Sequence, residues 1–249
     1  MIKVTSLTKR FGEKLAVDHL NLEIPRGEFF GFLGPNGAGK TTTIRMLVGL
    51  SHPTEGEVEI GGIALREDPV RAKLKIGYVP DSPYLYDKLS AREFLSFIGG
   101  LFRMEKESCR KEADFLLDYF EMTPWCDQKA EGYSHGMRQK TVVAAALLHH
   151  PEVIIIDEPL TGLDPHSGRL LKNILKERTK SGATVFVSTH ILGVAEELSD
   201  RIGILDRGKL IACGSVQELM GMATAEGESL EQLFLRLTRQ QRPHSVLSA

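Results

Sequence analysis

The residues Gly34-Pro35-Asn36-Gly37-Ala38-Gly39-Lys40-Thr41-Thr42 fit the pattern G-x-x-x-x-G-K-[ST]. They follow the apolar run Phe29 to Leu33 and open a helix-like stretch from Thr43 to Leu50. That is the strand–loop–helix setting the pattern requires. Glycines let successive backbone N–H groups turn inward on an anion, and a helix start adds its positive dipole end. Lys40 has the length to reach β- and γ-phosphates, and the Thr41 hydroxyl is a ligand for Mg²⁺. The competing reading is a glycine-rich turn in front of an ordinary helix.

Two further places weigh against that competing reading. Asp157-Glu158 ends the apolar run Val153 to Ile156. Carboxylates at the C-terminal end of a buried parallel strand stand where open α/β sheets bind ligands. Asp157 is suited to hold Mg²⁺ beside Thr41, and Glu158 to polarise an attacking water; the alternative is a strand end that merely solvates itself. His190 follows a second strand, Val185 to Thr189. A histidine at a strand end is either an ordinary surface or core residue or, in such a crevice, a hydrogen-bond donor to a terminal phosphate.

The elements that must position these groups alternate between strand and helix, which predicts a layered α/β fold. Strands are expected at 2–7 and 20–24, separated by Lys9 to Lys14, and then at 28–33 and 57–60, with Gly61-Gly62 as a hairpin turn. The phosphate loop leads into a helix to about Leu50, and Arg66 to Lys75 is a mixed-charge solvated face. A strand at 76–79 stops at Pro80-Asp81-Ser82-Pro83. The region 85–149 then turns helical, opening with Ser90-Ala91-Arg92-Glu93 as a capping box. Phe94 to Phe102 supplies a core stripe at helical spacing, Trp125 a packing anchor, and His149-His150 the end of a helix. The α/β rhythm resumes with a strand at 153–156, a helix at 166–180 and a strand at 183–188. A helix at 191–199, strands at 201–206 and 209–213, and helices at 215–221 and 229–239 complete it. The tail from Arg239 is polar and expected to fray.

The chain has 249 residues, 42% of them hydrophobic and 26% charged, as in an ordinary globular protein with a substantial core. A net charge of −2 leaves no basic footprint for nucleic acid. Cys109, Cys126 and Cys213 are odd in number and lack metal-ligand spacing, which suggests a reducing compartment. No signal peptide is read at Met1 to Val4, and no run approaches the about 20 apolar residues of a membrane span.

From about residue 2 to residue 220 the chain resembles the nucleotide-binding subunit of an ATP-binding cassette (ABC) transporter. Gly34 to Thr42 is similar to its Walker A loop, and Ile76 to Asp81 to its Q-loop. Tyr133-Ser134-His135-Gly136-Met137 resembles its signature motif, Val153 to Pro159 its Walker B strand, Leu163-Asp164 its D-loop and His190 its switch histidine. The resemblance implies a P-loop NTPase (RecA-like) α/β core with a mostly parallel sheet. It also implies an N-terminal antiparallel β subdomain and an inserted helical subdomain. On that reading residues 1–220 are one ATPase domain, with core segments 1–84 and 150–220, a helical subdomain at about 85–149, and a C-terminal helix and tail at 221–249.

The same resemblance implies ATP and Mg²⁺ as ligands, Phe11 stacked on adenine, and Lys40, Glu158 and His190 as the catalytic set. Metal ligands would be Thr41, Asp157 and Asp81. Two subunits would pack head to tail, so that Ser134 and the Gly136 backbone, at a helix start, act in trans on the partner's nucleotide. Closure on ATP would drive a separate transmembrane permease, with the chain cytoplasmic and peripheral to the inner membrane face. The contexts Tyr133 to Lys140 and Thr161 to Pro165 look most like subunits of ABC-2-type exporters. The other readings are a soluble ABC-type ATPase acting on ribosomes or DNA, and a regulatory cassette that binds ATP without cleaving it. Two residues depart from the family pattern. Asp81 stands where the Q-loop usually has Gln: it can ligate Mg²⁺ but is shorter, and its alternative is a plain turn residue between prolines. His135 replaces the first signature glycine; with its ring turned away from the phosphate the site survives, and His135→Gly is expected to be close to neutral for turnover.

Overall fold

The computed structural model describes residues 1–222 and 229–239. The chain begins with strands β1 (Ile2–Phe11), β2 (Lys14–Ile24) and β3 (Phe29–Leu33), then helix α1 (Lys40–Leu47), strands β4 (Glu55–Ile60) and β5 (Ile63–Ala64), helix α2 (Pro69–Leu74) and strand β6 (Ile76–Val79). Three helices follow, α3 (Ala91–Leu101), α4 (Lys106–Tyr119) and α5 (His135–Leu147). After strand β7 (Val153–Asp157) come α6 (Pro165–Lys180), β8 (Thr184–Thr189), α7 (Leu192–Leu198), β9 (Arg201–Asp206), β10 (Lys209–Gly214), α8 (Val216–Met220) and α9 (Leu230–Arg239). The tail beyond Arg239, expected to fray, lies outside the described residues.

One sheet has the order β10-β9-β3-β8-β7-β6, with β3, β6, β7, β8 and β9 parallel and β10 antiparallel at the edge. The other is antiparallel, in the order β2-β1-β4-β5. Chemistry explains the placement of β7: Val153, Ile154, Ile155 and Ile156 are all fully buried, and a run that is apolar on both faces needs cover on both faces. Ile154 and Ile156 pack under α3–α5 with Leu95, Leu116 and Leu147. Ile155 faces the opposite layer, with Phe30, Phe32, Phe186 and the interior of the antiparallel sheet. The Phe186 ring lies 5.7 Å from Phe30 and 5.2 Å from Phe32, centroid to centroid.

The capping box at α3 forms as expected, with Glu93 N–H donating to Ser90 Oγ at 3.2 Å and Ser90 N–H to the Glu93 carboxylate at 2.8 Å. Other expectations need correcting. Strands β1 and β2 run through Lys9 to Lys14, because cross-strand pairing continues to Phe11 opposite Lys14 at the hairpin tip. The charged stretch 66–75 contains α2, N-capped by Asp68, whose Oδ1 accepts from Arg71 N–H. The Phe94–Phe102 stripe is only partly core: Phe94 and Leu95 are buried, whereas Phe97 and Leu101 are exposed. Trp125, at 41% exposure, anchors little; Tyr133 reaches its backbone carbonyl instead.

His149 also differs from its expected role at a helix end. Its ring stacks on Phe102 at a centroid distance of 3.6 Å. Burial pushes its pKa from the ordinary 6.5 down to about 4, against a smaller opposing effect from the Ile76 backbone. The folded protein therefore resists protonation that the unfolded chain accepts, so the unfolded state binds more protons between those two values. Stability from this site is present above about 6.5 and is lost as the pH falls toward about 4. His149→Phe keeps an aromatic ring on Phe102 and is expected to flatten that part of the pH profile. The difference between wild type and variant in denaturant midpoints from pH 7 to 4 measures it; parallel profiles would overturn the assignment.

Candidate active site

The phosphate loop emerges from β3, between β8 and β9, and ends at the start of α1. Gly39 is the residue before the helix, with φ 111°, and a Cβ there would stand 2.5 Å from the Ala16 carbonyl. Both facts require glycine. The Gly208 N–H donates to Ala38 O at 2.7 Å, and Asp18 N–H donates to Gly208 O at 2.9 Å, so the loop is braced from outside its own strand. Lys40 is buried; its Nζ donates to Gly34 O at 2.8 Å and lies 3.5 Å from Glu158 Oε1.

Strand β7 delivers Asp157 fully buried, beneath the loop. The Ser188 hydroxyl donates to Asp157 Oδ1, while Oδ2 is buried without a hydrogen bond among the described residues. Burial raises the Asp157 pKa; the Ser188 and Thr41 hydroxyls oppose that rise, and the charges of Asp81 and Glu158 add to it. A buried, unsatisfied carboxylate oxygen on the Thr41 side is a hard-oxygen donor set of the kind a small divalent cation takes. The residues present thus fit the Mg²⁺ that the sequence reading expects.

Glu158, the next residue, has left-handed backbone geometry with φ 51°. Its N–H donates to Ser188 O and Oγ, each at 3.2 Å, which over-determines the turn. The carboxylate is thereby held between two cationic or potentially cationic groups: Lys40 on Oε1 and His190 Nδ1, 3.0 Å from Oε2. With Glu158 ionised, Nδ1 carries the proton and the tautomer of His190 is set.

Lys40 and Glu158 border a cavity of about 470 Å³. Asn36, Gly37, Gly39, Lys40, Thr41 and Thr42 form its floor, and Asp81 and Glu158 close one end. Gly34, Pro35, Ala38, Asp157 and His190 do not line it; His190 meets it only through Glu158, its Nδ1 3.0 Å from Glu158 Oε2. Phe11 is 54% exposed at the β1–β2 hairpin tip, with Lys9 Nζ 5.1 Å from its ring centroid, and does not line the cavity. The walls missing from the sequence reading are Lys14, Leu15 and Ala16 of β2 and Arg207-Gly208 of the β9–β10 turn. Nothing local in the sequence marks them, since they reach the loop only through the pairing of distant strands.

Ser134 and Gly136 do not border this cavity. Ser134 N-caps α5, its Oγ accepting from Met137 N–H at 3.3 Å. His135 turns its ring onto Gly162, where φ is 79°; a Cβ on Gly162 would meet His135 Nε2 at 2.3 Å. Asp164, two residues on, N-caps α6 and also accepts from the Ser167 hydroxyl; these hydrogen bonds hold its pKa down to about 2.

Phosphate loop, buried strand-end carboxylate and adjacent glutamate on a mostly parallel sheet define a P-loop ATPase domain. Residues 17–161 match the family model described as ABC transporter, and the chain belongs to that family. It is 38% identical to the linearmycin resistance ATP-binding protein LnrL of Bacillus subtilis (strain 168), over 88% of this chain and 70% of that protein. It is 40% identical to the bacitracin transport ATP-binding protein BcrA of Bacillus licheniformis, over 85% of this chain and 68% of that one. Among solved structures, the ATP-binding subunit of an ABC transporter superposes with a TM-score of 0.91 at 31% identity, covering 96% of this chain and 99% of the other. The ATP-binding cassette MJ0796, a dimer bound to ADP and Pi in a post-hydrolysis state, superposes at 0.80 and 31% identity, covering 86% and 98%.

The His135–Gly162 contact can be tested by a double-mutant cycle. Gly162→Ala places a side chain at positive φ and into the imidazole, and should cost about 1–3 kcal/mol. In a His135→Gly background only the backbone strain remains, so the cost should fall by about half or more. Equal costs in the two backgrounds, from chemical denaturation, would show that the ring does not press on Gly162.

Proposed function

We propose that this chain binds and hydrolyses ATP as the nucleotide-binding subunit of an ABC exporter, closing on ATP with a second such subunit to drive a separate transmembrane permease. The observation that carries the catalytic part is the setting of Glu158, a carboxylate at the cavity end, fixed by Ser188 and aligned by Lys40 and His190. Its environment suits a base that orients and polarises water, with His190 holding the carboxylate and standing ready beside the terminal phosphate. Lys40 already sits among loop carbonyls at the cavity floor and would turn to the β- and γ-phosphates. Thr41 and Asp157 would hold Mg²⁺, with Asp81 at the cavity end as a further oxygen donor. When bound, Mg²⁺ supplies charge neutralisation across the phosphate oxygens. Phe11 would meet the adenine from the hairpin tip.

Two further features support the assembly. Ser134 at the start of α5 presents a helix N-terminus suited to an anion, away from the chain's own cavity, as required of a group acting in trans. A mostly apolar cleft of about 280 Å³ lies between the ATPase core and the helical subdomain, bordered by Leu50, Tyr78, Phe94, Ile98 and Phe102. Exposed Tyr84, Tyr86 and Phe97 extend the apolar character nearby. Such a surface suits a helix of a permease. No helix among the described residues is long and apolar enough to cross a membrane. The permease would be a separate chain, since the relatives are named as ATP-binding proteins of transport systems, and this chain would stand at the cytoplasmic face of the membrane. The relatives are named for resistance, transport and export.

Glu158→Gln preserves shape and backbone while removing the base. Phosphate release should fall by about a hundredfold or more, with ATP binding retained and an ATP-dependent dimer accumulating in size-exclusion chromatography with light scattering. Equal turnover in wild type and variant would show that Glu158 is not catalytic.

A further inference from the structure

The cavity has a cationic wall that the catalytic reading leaves unused. Lys14 and Arg207 both line it. Each is exposed, and neither makes an ion pair or side-chain hydrogen bond among the described residues. Asp18, on the same strand as Lys14, is already occupied: Oδ1 lies 2.6 Å from His19 Nδ1 and Oδ2 lies 3.2 Å from Lys209 Nζ. Arg207 sits at φ 47° in the two-residue turn joining β9 to β10, a left-handed geometry that is uncommon for a long side chain. The turn is also locked to the phosphate loop through Gly208 N–H to Ala38 O. Strain that a rigid surrounding structure maintains at a cavity wall is a pointer to function.

The strand order says which part of a nucleotide this wall meets. The phosphate loop leaves β3, which has β8 and then β7 on one side and β9 on the other. Asp157, Glu158 and His190 come from the β7 and β8 ends, so the terminal phosphate lies on that side. The opposite side is walled by Arg207-Gly208 and by Lys14, Leu15 and Ala16. A nucleotide with its phosphates on the loop must therefore place its ribose and base along the β9 wall.

We propose that Arg207 is a nucleoside-binding residue, its guanidinium taking the ribose and base of the bound nucleotide from the side of the loop opposite Glu158. This rests on the reading of the cavity as the ATP site. A planar guanidinium is suited to it, because it can donate to ribose oxygens and lie flat on a base. Phe11, at the adjoining hairpin tip, would then cover the base from the rim while Arg207 holds it from the wall.

The test compares ATP and inorganic tripolyphosphate binding to the full chain by calorimetry. Arg207→Gly removes the guanidinium and relieves the positive φ, so the variant should fold. It is expected to weaken ATP and ADP about tenfold, as for a lost charged hydrogen bond, while tripolyphosphate changes less than about twofold. Arg207→Lys should fall between wild type and Arg207→Gly in ATP affinity. Unchanged ATP affinity would overturn the proposal. So would an equal loss for ATP and tripolyphosphate, which would reduce Arg207 to a general source of positive charge. Failure of the wild type to bind ATP at all would instead overturn the ATP-site reading.

Discussion

The carboxylate of Asp157 is the constraint around which the rest is arranged. An ionisable group with no exposed surface is costly, and its environment raises its pKa. It is tolerated because Ser188, one strand away, donates to one oxygen, and because Thr41, on the phosphate loop, lies near enough to oppose the shift. That requires β7 beside β8 and β8 beside β3, which in turn puts the loop and the strand-end glutamate on one cavity. The apolar run from Val153 to Ile156 secures the arrangement, since it can only be buried with a layer on each face.

Glu158 depends on the same neighbour. Ser188 uses its hydroxyl on both Asp157 and the Glu158 N–H, so one small side chain sets the position of two carboxylates. Lys40 and His190 then determine which way the second carboxylate faces. The site is preorganised by hydrogen bonds from rigid strand ends, the arrangement that electrostatic catalysis favours.

Legibility in the sequence followed the physics of each element. Strands 76–79 and 201–206 were readable to the residue because apolar runs end at hard stops or charged turns. The capping box of α3 was readable because its two partners are three residues apart. Helix α2 was missed because it buries only Ala72 and has no apolar stripe; Asp68 at the N-cap followed by Pro69 was the signal available. The hairpin of β1 and β2 was cut short because its tip is charged and exposed, so pairing, not burial, extends it. The motif residues of the candidate site were legible from local pattern, but Arg207 and Lys14 were not, since only tertiary pairing brings two separate hairpins to one cavity. The seating of His135 on Gly162 was hidden for the same reason.

The positive φ of Glu158 has a consequence for how this chain can change. Glycine would occupy that backbone position with less strain, so a search for stabilising substitutions would select the loss of the carboxylate there. If Glu158 is the base proposed above, thermal stability and chemistry are opposed at one residue. Variants of this protein screened only for resistance to heat should drift toward well-folded, nucleotide-binding, inactive forms, and the first sign of that drift would be found at position 158.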